Sequence, residues 1–360
     1  MLHIAVFVKN LTSGGAEKQA VLLAKAMSGD YEVHYIIFNG EKVHQKYMDM
    51  LNEDRRIHVQ AFVGGHLTRY KSLVDYLRQN HIKAIFSYLT AANAYACLAG
   101  LQVGAKVFTG LRNAELPTLK RWADRFLANR MARLAVANCY SGKANFISKG
   151  FHEDKIVVIP NCFEHIKPYH KKPCSDKVRI ITVGRFVPQK DYETAIRAIA
   201  EVKQAMPDIQ YDIVGYGELE APIRDWVKQY DIADCTHIYI NPPNIPELLD
   251  GADIYLSTSL FEGTSNSIME GMNADLPIVA THVGDNDKLV TDGVNGYLCD
   301  IKDWQEIAGK LKILITDETQ RTSIGSFSGM RRTSPTDQLC QHPLISLQRI
   351  ISVFAYHSPV

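Results

Sequence analysis

The chain reads as an α/β protein built on two parallel sheets, and three observations lead there. At 360 residues it exceeds what one core usually holds, so two domains are expected, each long enough to bury a core of its own. Short apolar runs alternate with helix-period segments along most of the length, as parallel strands joined by crossover helices require. Hydrophobic residues at 46% and charged residues at 22% are ordinary for a soluble globular protein.

The elements follow in order. Ile4 to Val8 is a first strand; the apolar run around it is short, lacks a basic leader and meets Lys9 and Asn10 at once, so it does not read as a signal peptide. Val33 to Phe38, Ile57 to Phe62, Ala84 to Tyr88, Lys106 to Thr109, Leu134 to Ala137 and Ile156 to Ile159 are the further strands of a first domain, residues 1–165. Helical patterns at Ala16 to Met27, Ser72 to Gln79 and Ala91 to Leu101 lie between them. Glu164 to Ser175 is polar and broken by prolines, which places a linker at 166–176. A second domain, 177–320, repeats the scheme with strands at Val178 to Val183, Tyr211 to Val214, His237 to Ile240, Asp253 to Ser257 and Ile278 to Ala280. From Arg321 to Val360 a single acid, Asp337, sits among Ser, Thr, Gln and Pro, so 321–360 stands apart as an atypical tail.

The net charge of +1 hides an asymmetry. Residues 1–170 hold 22 Lys and Arg against 13 Asp and Glu, a balance of +9; residues 171–360 hold 18 against 26, a balance of −8. A basic first half suits an anionic acceptor or an anionic membrane surface. Within it, Leu119 to Arg133 sets Leu119, Trp122 and Phe126 along one helical side, with Lys120, Arg121, Arg125 and Arg130 around it. The favoured reading packs that apolar side on the sheet and solvates the cations, while the charge could still draw lipid. The seven cysteines show no CxxC spacing and read as reduced structural thiols of a cytoplasmic protein.

Two constellations carry chemistry. After the strand Val178 to Val183 comes the turn Gly184-Arg185-Phe186-Val187-Pro188-Gln189-Lys190, and Asp191 begins a helix over Tyr192 to Ala205. Arg185 and Lys190 across one strand-to-helix turn can clamp a diphosphate, the arginine by its planar fork and the lysine as a point charge. Further on, Glu262 and Glu270 flank Gly263-Thr264-Ser265-Asn266-Ser267, in which Ser265, Asn266 or Ser267 can cap a helix. A helix N-terminus at the end of a buried strand offers free N–H groups to a phosphate. Carboxylates beside it suit hydroxyls, so the ligand expected is one with both, such as a nucleotide sugar.

Taken in order, Val183 to Lys190, Ile213-Val214-Gly215-Tyr216-Gly217-Glu218, Glu262 to Glu270 and Leu276 to Gly284 resemble the motifs of family 4 glycosyltransferases. Ser13-Gly14-Gly15-Ala16-Glu17 is similar to that family's glycine-rich acceptor-side loop, and Val158 to Asn161 to its interdomain segment. The resemblance spans about Leu2 to Ile315. It implies the GT-B fold, two Rossmann-like domains facing across a cleft, and retaining transfer of a hexose or N-acetylhexosamine. The implied donor is a nucleotide sugar, with UDP favoured, and the acceptor a growing surface polysaccharide or lipid-linked glycan. On this chain Arg185 and Lys190 would neutralise the departing diphosphate, Glu262 would receive a donor-sugar hydroxyl and Glu270 the ribose diol. Gly184, Gly263, Thr264, Ser265 and Asn266 would line the donor; Gly14, Gly15, Arg112 and Asn113 would face acceptor or phosphate, unless Arg112 and Asn113 only stabilise their loop.

No cofactor or metal is expected, and the protein is expected to be cytoplasmic or peripheral at the inner face of the plasma membrane. Asp285-Asn286-Asp287 has the DxD spacing of metal-dependent transferases, but Arg185 and Lys190 already answer the diphosphate. No GxGxxG follows the first strand, which weighs against an NAD oxidoreductase. Nucleic acid has only the mild charge asymmetry in its favour. Relatives would continue beyond residue 320 with an amphipathic helix that braces the first domain. Its replacement in this chain leaves a second reading: a nucleotide-sugar-binding remnant without turnover.

Overall fold

The computed structural model describes residues 1–12, 14–41, 43–112, 117–161 and 177–331, with side chains described to residue 327. The chain divides into two compact units that part between Glu164 and His165.

The first unit holds seven parallel strands: β1 (His3–Val8), β2 (Glu32–Ile37), β3 (Ile57–Ala61), β4 (Ala84–Tyr88), β5 (Lys106–Leu111), β6 (Leu134–Ala137) and β7 (Ile156–Val158). Their order in the sheet is β3-β2-β1-β4-β5-β6-β7. The helices are α1 (Gly15–Met27), α2 (Gln45–Asn52), α3 (His66–Gln79), α4 (Thr90–Val103), α5 (Thr118–Phe126) and α6 (Tyr140–Ser148). The central strands read as continuous apolar runs because both faces are covered. Val6 and Tyr35 pack with Val21 of α1 and Met50 of α2 on one face; Phe7 and Ile36 pack with Leu73 of α3 and Ala96 of α4 on the other.

The second unit holds six parallel strands: β8 (Val178–Val183), β9 (Ile209–Gly215), β10 (Thr236–Ile240), β11 (Ile254–Ser257), β12 (Ile278–Thr281) and β13 (Gly296–Cys299), in the order β10-β9-β8-β11-β12-β13. Its helices are α7 (Tyr192–Ala205), α8 (Glu220–Gln229), α9 (Ile245–Asp250), α10 (Asn266–Asn273), α11 (Asn286–Leu289), α12 (Trp304–Thr316) and α13 (Glu318–Arg331). Ile180 and Ile213 form its core with Ile196 and Ile199 of α7 and Leu311 of α12.

Both sheets reverse their winding beside the first strand, between β1 and β4 in one unit and between β8 and β11 in the other. At such a switch point the loops leaving the two strands' carboxyl ends diverge to opposite faces and open a crevice, which is where ligands of open α/β sheets bind.

Several expectations need correcting. β13, a four-residue edge strand opening on Gly296, was not anticipated, and α3 starts at His66 rather than Ser72. α13 runs to Arg331, through the boundary placed at residue 320. The linker at 166–176 and the tail beyond 331 lie outside the described residues. The helix over Leu119 to Arg133 is α5 followed by a π-helical turn, Leu127–Met131, and its apolar side does not pack on the sheet. Leu119 is 79% exposed, Trp122 57% and Phe126 48%.

Candidate donor site and family

The candidate donor residues of the second unit leave β8 and β11, the two strands at its switch point. Gly184 to Lys190 forms the loop after β8, closed by a 3₁₀ turn over Pro188–Lys190. Asp191 then takes a left-handed conformation with φ 46°, which re-aims the chain into α7. Its Oδ2 accepts the Thr194 hydroxyl at 2.7 Å, a local bond of the kind that lets aspartate occupy this region.

The loop after β11 is fastened to this turn at several points. Leu260 N donates to Gln189 O at 2.8 Å, and Gln189 Nε2 donates back to Phe261 O at 2.7 Å. Thr258 Oγ1 donates toward Lys190 O and Asp191 O, at 3.0 and 2.9 Å. The weld carries Lys190 to Glu262: Nζ lies 2.5 Å from Oε1, with the side chains 16% and 10% exposed. Ser259 Oγ donates to the same oxygen at 2.8 Å. Lys190 and Glu262, assigned separately to diphosphate and sugar from the sequence, therefore form one ion pair in the unliganded chain. Arg185, by contrast, is exposed at the start of the turn and has no side-chain partner among the described residues.

Glycines let backbones meet beneath the site. A Cβ on Gly215 would lie 1.9 Å from Gly184 O, so the loop after β9 can press against the Arg185 turn only without a side chain. Phe186 N donates to Tyr216 O at 2.7 Å and completes that contact. Gly284, with φ +58°, packs under the other loop, where a Cβ would come 2.3 Å from Glu262 O.

Ser265 caps α10 as the sequence suggests, its Oγ accepting from Ile268 N at 3.4 Å. Thr264 and Ser265 are buried, while Gly263, Asn266 and Glu270 are half-buried. Gly271 seats the helix on β11, since a Cβ there would meet the Tyr255 ring at 2.7 Å. The N-terminus of α10, where helix N–H groups have no carbonyl partner within the helix itself, thus follows the carboxyl end of β11 at the switch point. Together these groups can hold a ligand carrying concentrated negative charge and hydroxyls.

Of the remaining expectations, Gly14 caps α1 and Gly15 is its first residue. Arg112 stacks over Tyr88, 4.6 Å from the ring centre, and Nη1 donates to Asn161 Oδ1 at 3.1 Å. It borders a small cavity of about 30 Å³ with Tyr88, Phe86, Phe108, Leu23 and Gly110. Asn113 and Ser13 lie outside the described residues. Asp285 is buried, whereas Asp287 pairs with Lys288 at 2.8 Å, so the two acids of the DxD spacing have different surroundings. Cys97 and Cys299 are buried free thiols pushed up to about 12 by desolvation, well outside the reactive range.

The residues the sequence reading missed are the fasteners: Thr258, Ser259 and Gln189. For Thr258 and Ser259 the one signal is the polar run Ser257-Thr258-Ser259 at the end of an otherwise apolar strand.

Known proteins resemble this chain in sequence and in fold. The model for Glycosyltransferase Family 4 matches residues 13–166, and that for glycosyl transferases group 1 matches residues 166–328. An uncharacterised glycosyltransferase of Haemophilus influenzae is 23% identical over 338 residues, covering 88% of this chain and 91% of its own. The N-acetylgalactosamine-N,N'-diacetylbacillosaminyl-diphospho-undecaprenol 4-alpha-N-acetylgalactosaminyltransferase of Campylobacter jejuni is 24% identical, covering 89% of this chain and 92% of its own. Among solved structures, Anabaena HepE in complex with UDP superposes with a TM-score of 0.83 at 20% identity, covering 99% of this chain and all of that one. The two family models meet at the boundary between the two units, and the chain belongs to the glycosyltransferases of GT-B fold, family 4 type in its first half and group 1 type in its second.

Proposed function

We propose that the chain is a retaining glycosyltransferase that moves a hexose or N-acetylhexosamine from a UDP-linked donor to a surface polysaccharide or lipid-linked glycan. The observation that carries this reading is that exposed Arg185, the Lys190–Glu262 pair and the α10 N-terminus all leave the two strands of one switch point. The UDP complex of HepE and the diphospho-undecaprenol acceptor in the Campylobacter enzyme's name support donor and acceptor class. Arg185 and Lys190 take up the charge that develops on the diphosphate as the bond from the anomeric carbon to its oxygen breaks. N–H groups of Gly263 to Asn266 touch sugar or phosphate, and Glu270 receives the ribose diol. Glu262 Oε1 already holds Lys190 and Ser259, so Oε2 is the oxygen for a sugar hydroxyl. The acceptor oxygen attacks the face that the diphosphate leaves, and its proton passes to the leaving phosphate oxygen. Configuration is then retained without a protein nucleophile, and the two cations stand where a metal would otherwise be needed.

Calorimetry with UDP-, GDP- and ADP-sugars on wild type, Arg185→Ala and Glu270→Ala tests this. Binding of UDP-sugars, weakened about tenfold or more by each substitution, supports it. A folded chain that binds none of them overturns it.

A further inference from the structure

Three buried tyrosines from three elements converge on three successive residues where β8 ends, immediately before Arg185. Tyr211 of β9 donates its hydroxyl to Thr182 Oγ1 at 3.0 Å, and Tyr255 of β11 donates to Val183 O at 3.2 Å. Tyr192, the first residue of α7, donates to Gly184 O at 2.9 Å. A hydrophobic core needs only the rings, since each buried hydroxyl carries a desolvation cost that phenylalanine would avoid. The Tyr211 bond serves the sheet, because Thr182 Oγ1 passes it on to Leu256 O at 2.9 Å. The other two grip main-chain carbonyls that lead into the Arg185 turn.

Tyr192 brackets Arg185. Its hydroxyl holds the residue before, and its ring meets edge-on the ring of Phe186, the residue after, with centres 5.2 Å apart. The Tyr255 hydroxyl is oriented from behind, where the Ser267 side chain in the first turn of α10 hydrogen-bonds to it. Burial, together with the nearby charges of Glu270 and Glu262, raises its pKa against the pull of Ser267, so it remains an O–H donor. Arg185 itself is exposed and has no side-chain partner among the described residues, so its aim is set by the backbone on which it stands.

We propose that Tyr192 and Tyr255 are positioning residues for the donor: their hydroxyls fix the Gly184 and Val183 carbonyls so that Arg185 is held ready for the diphosphate. The inference rests on the donor reading given above and adds to it two residues that touch no substrate. A mobile guanidinium would have to be ordered at the moment of binding, whereas one carried on a fixed turn has that ordering built into the fold.

The test is calorimetry of the full chain with whichever of UDP, GDP and ADP the wild type binds. Tyr192→Phe and Tyr255→Phe are made both in the wild type and in Arg185→Ala, and each is checked for wild-type circular dichroism. In the wild-type background each should weaken nucleotide binding on the order of tenfold. In Arg185→Ala the same change should cost about twofold or less, because the group being aimed is gone. Tyr211→Phe, which removes an equally buried hydroxyl that grips no carbonyl, should stay within about twofold of wild type. Equal losses in both backgrounds mean a merely structural role and overturn the proposal, as do unchanged affinities in the wild-type background. A folded wild type that binds none of the three nucleotides overturns the donor reading, and this inference with it.

Discussion

Lys190 and Glu262 are 72 positions apart in sequence and share a 2.5 Å ion pair that closes the loop of one central strand onto the loop of its neighbour. Ligand binding has to work through this pair, because the lysine nearest the expected diphosphate is already engaged. Lys190→Met should therefore lower turnover about a hundredfold or more, and Glu262→Gln somewhat less, because the amide still accepts one bond. A double-mutant cycle on donor affinity should return a coupling of roughly 1–3 kcal/mol. Additive losses would show that the pair is incidental to the site.

Gly215→Ala places a methyl group 1.9 Å from the Gly184 carbonyl. The loop after β9 must then move off the Arg185 turn, with a stability loss of about 3 kcal/mol or more in urea unfolding. Gly293→Ala is the control, since its Cβ meets nothing within 4 Å and only its positive φ, +72°, is strained. That variant should lose about 1 kcal/mol.

His34 gives the first unit a pH dependence. It is buried between His3 and His58; His3 Nδ1 lies 3.0 Å from its Nε2, and the Tyr76 hydroxyl lies 2.9 Å from its Nδ1. Burial first, then the charges of His58 and His3, bring its pKa down to about 4, while Glu32 pulls the other way. The unfolded histidine takes its proton first, so this contribution is complete above about pH 6.5 and is lost as the pH falls toward 4. Unfolding free energies from urea titrations at pH 7.5 and 4.5 should differ accordingly, by up to about 3 kcal/mol. His34→Gln should flatten that difference.

A chelator is expected to leave donor binding and turnover unchanged, because Arg185 and Lys190 supply the positive charge in the proposed mechanism. Asp287→Asn should be equally silent, its carboxylate being engaged with the neighbouring Lys288 at 2.8 Å. Loss of turnover in chelator that magnesium or manganese restores would refute the metal-free mechanism.

What was legible in the sequence is what depends on neighbours in the chain. The apolar run Val178–Val183, the helix from Tyr192 and the Ser265 cap follow from local periodicity and capping, and they stand where expected. β13 escaped because four residues opening on glycine carry almost no period. The side that α5 presents was misread because the apolar stripe is visible in sequence, whereas the partners that bury Asp124 come from α4, 31 and 34 positions away. The Lys190–Glu262 pair was hidden for the same reason. Each residue was picked out, but their meeting depends on β8 and β11 becoming neighbours in the sheet.

That adjacency has a consequence for how the protein comes into being. A chain still being synthesised, with β8 and α7 complete but β11 not yet emerged, holds Arg185 and Lys190 without the loop that fastens them. Contacts so distant in sequence form late, after the entropy of closing the intervening segment has been overcome. The nascent protein therefore passes through an interval in which it has part of a sheet but not the closed pair on which the proposed donor grip depends. On the proposed reading, donor capture waits until β11 joins β8 at the centre of the second sheet, so ligand retention would report that this junction has closed.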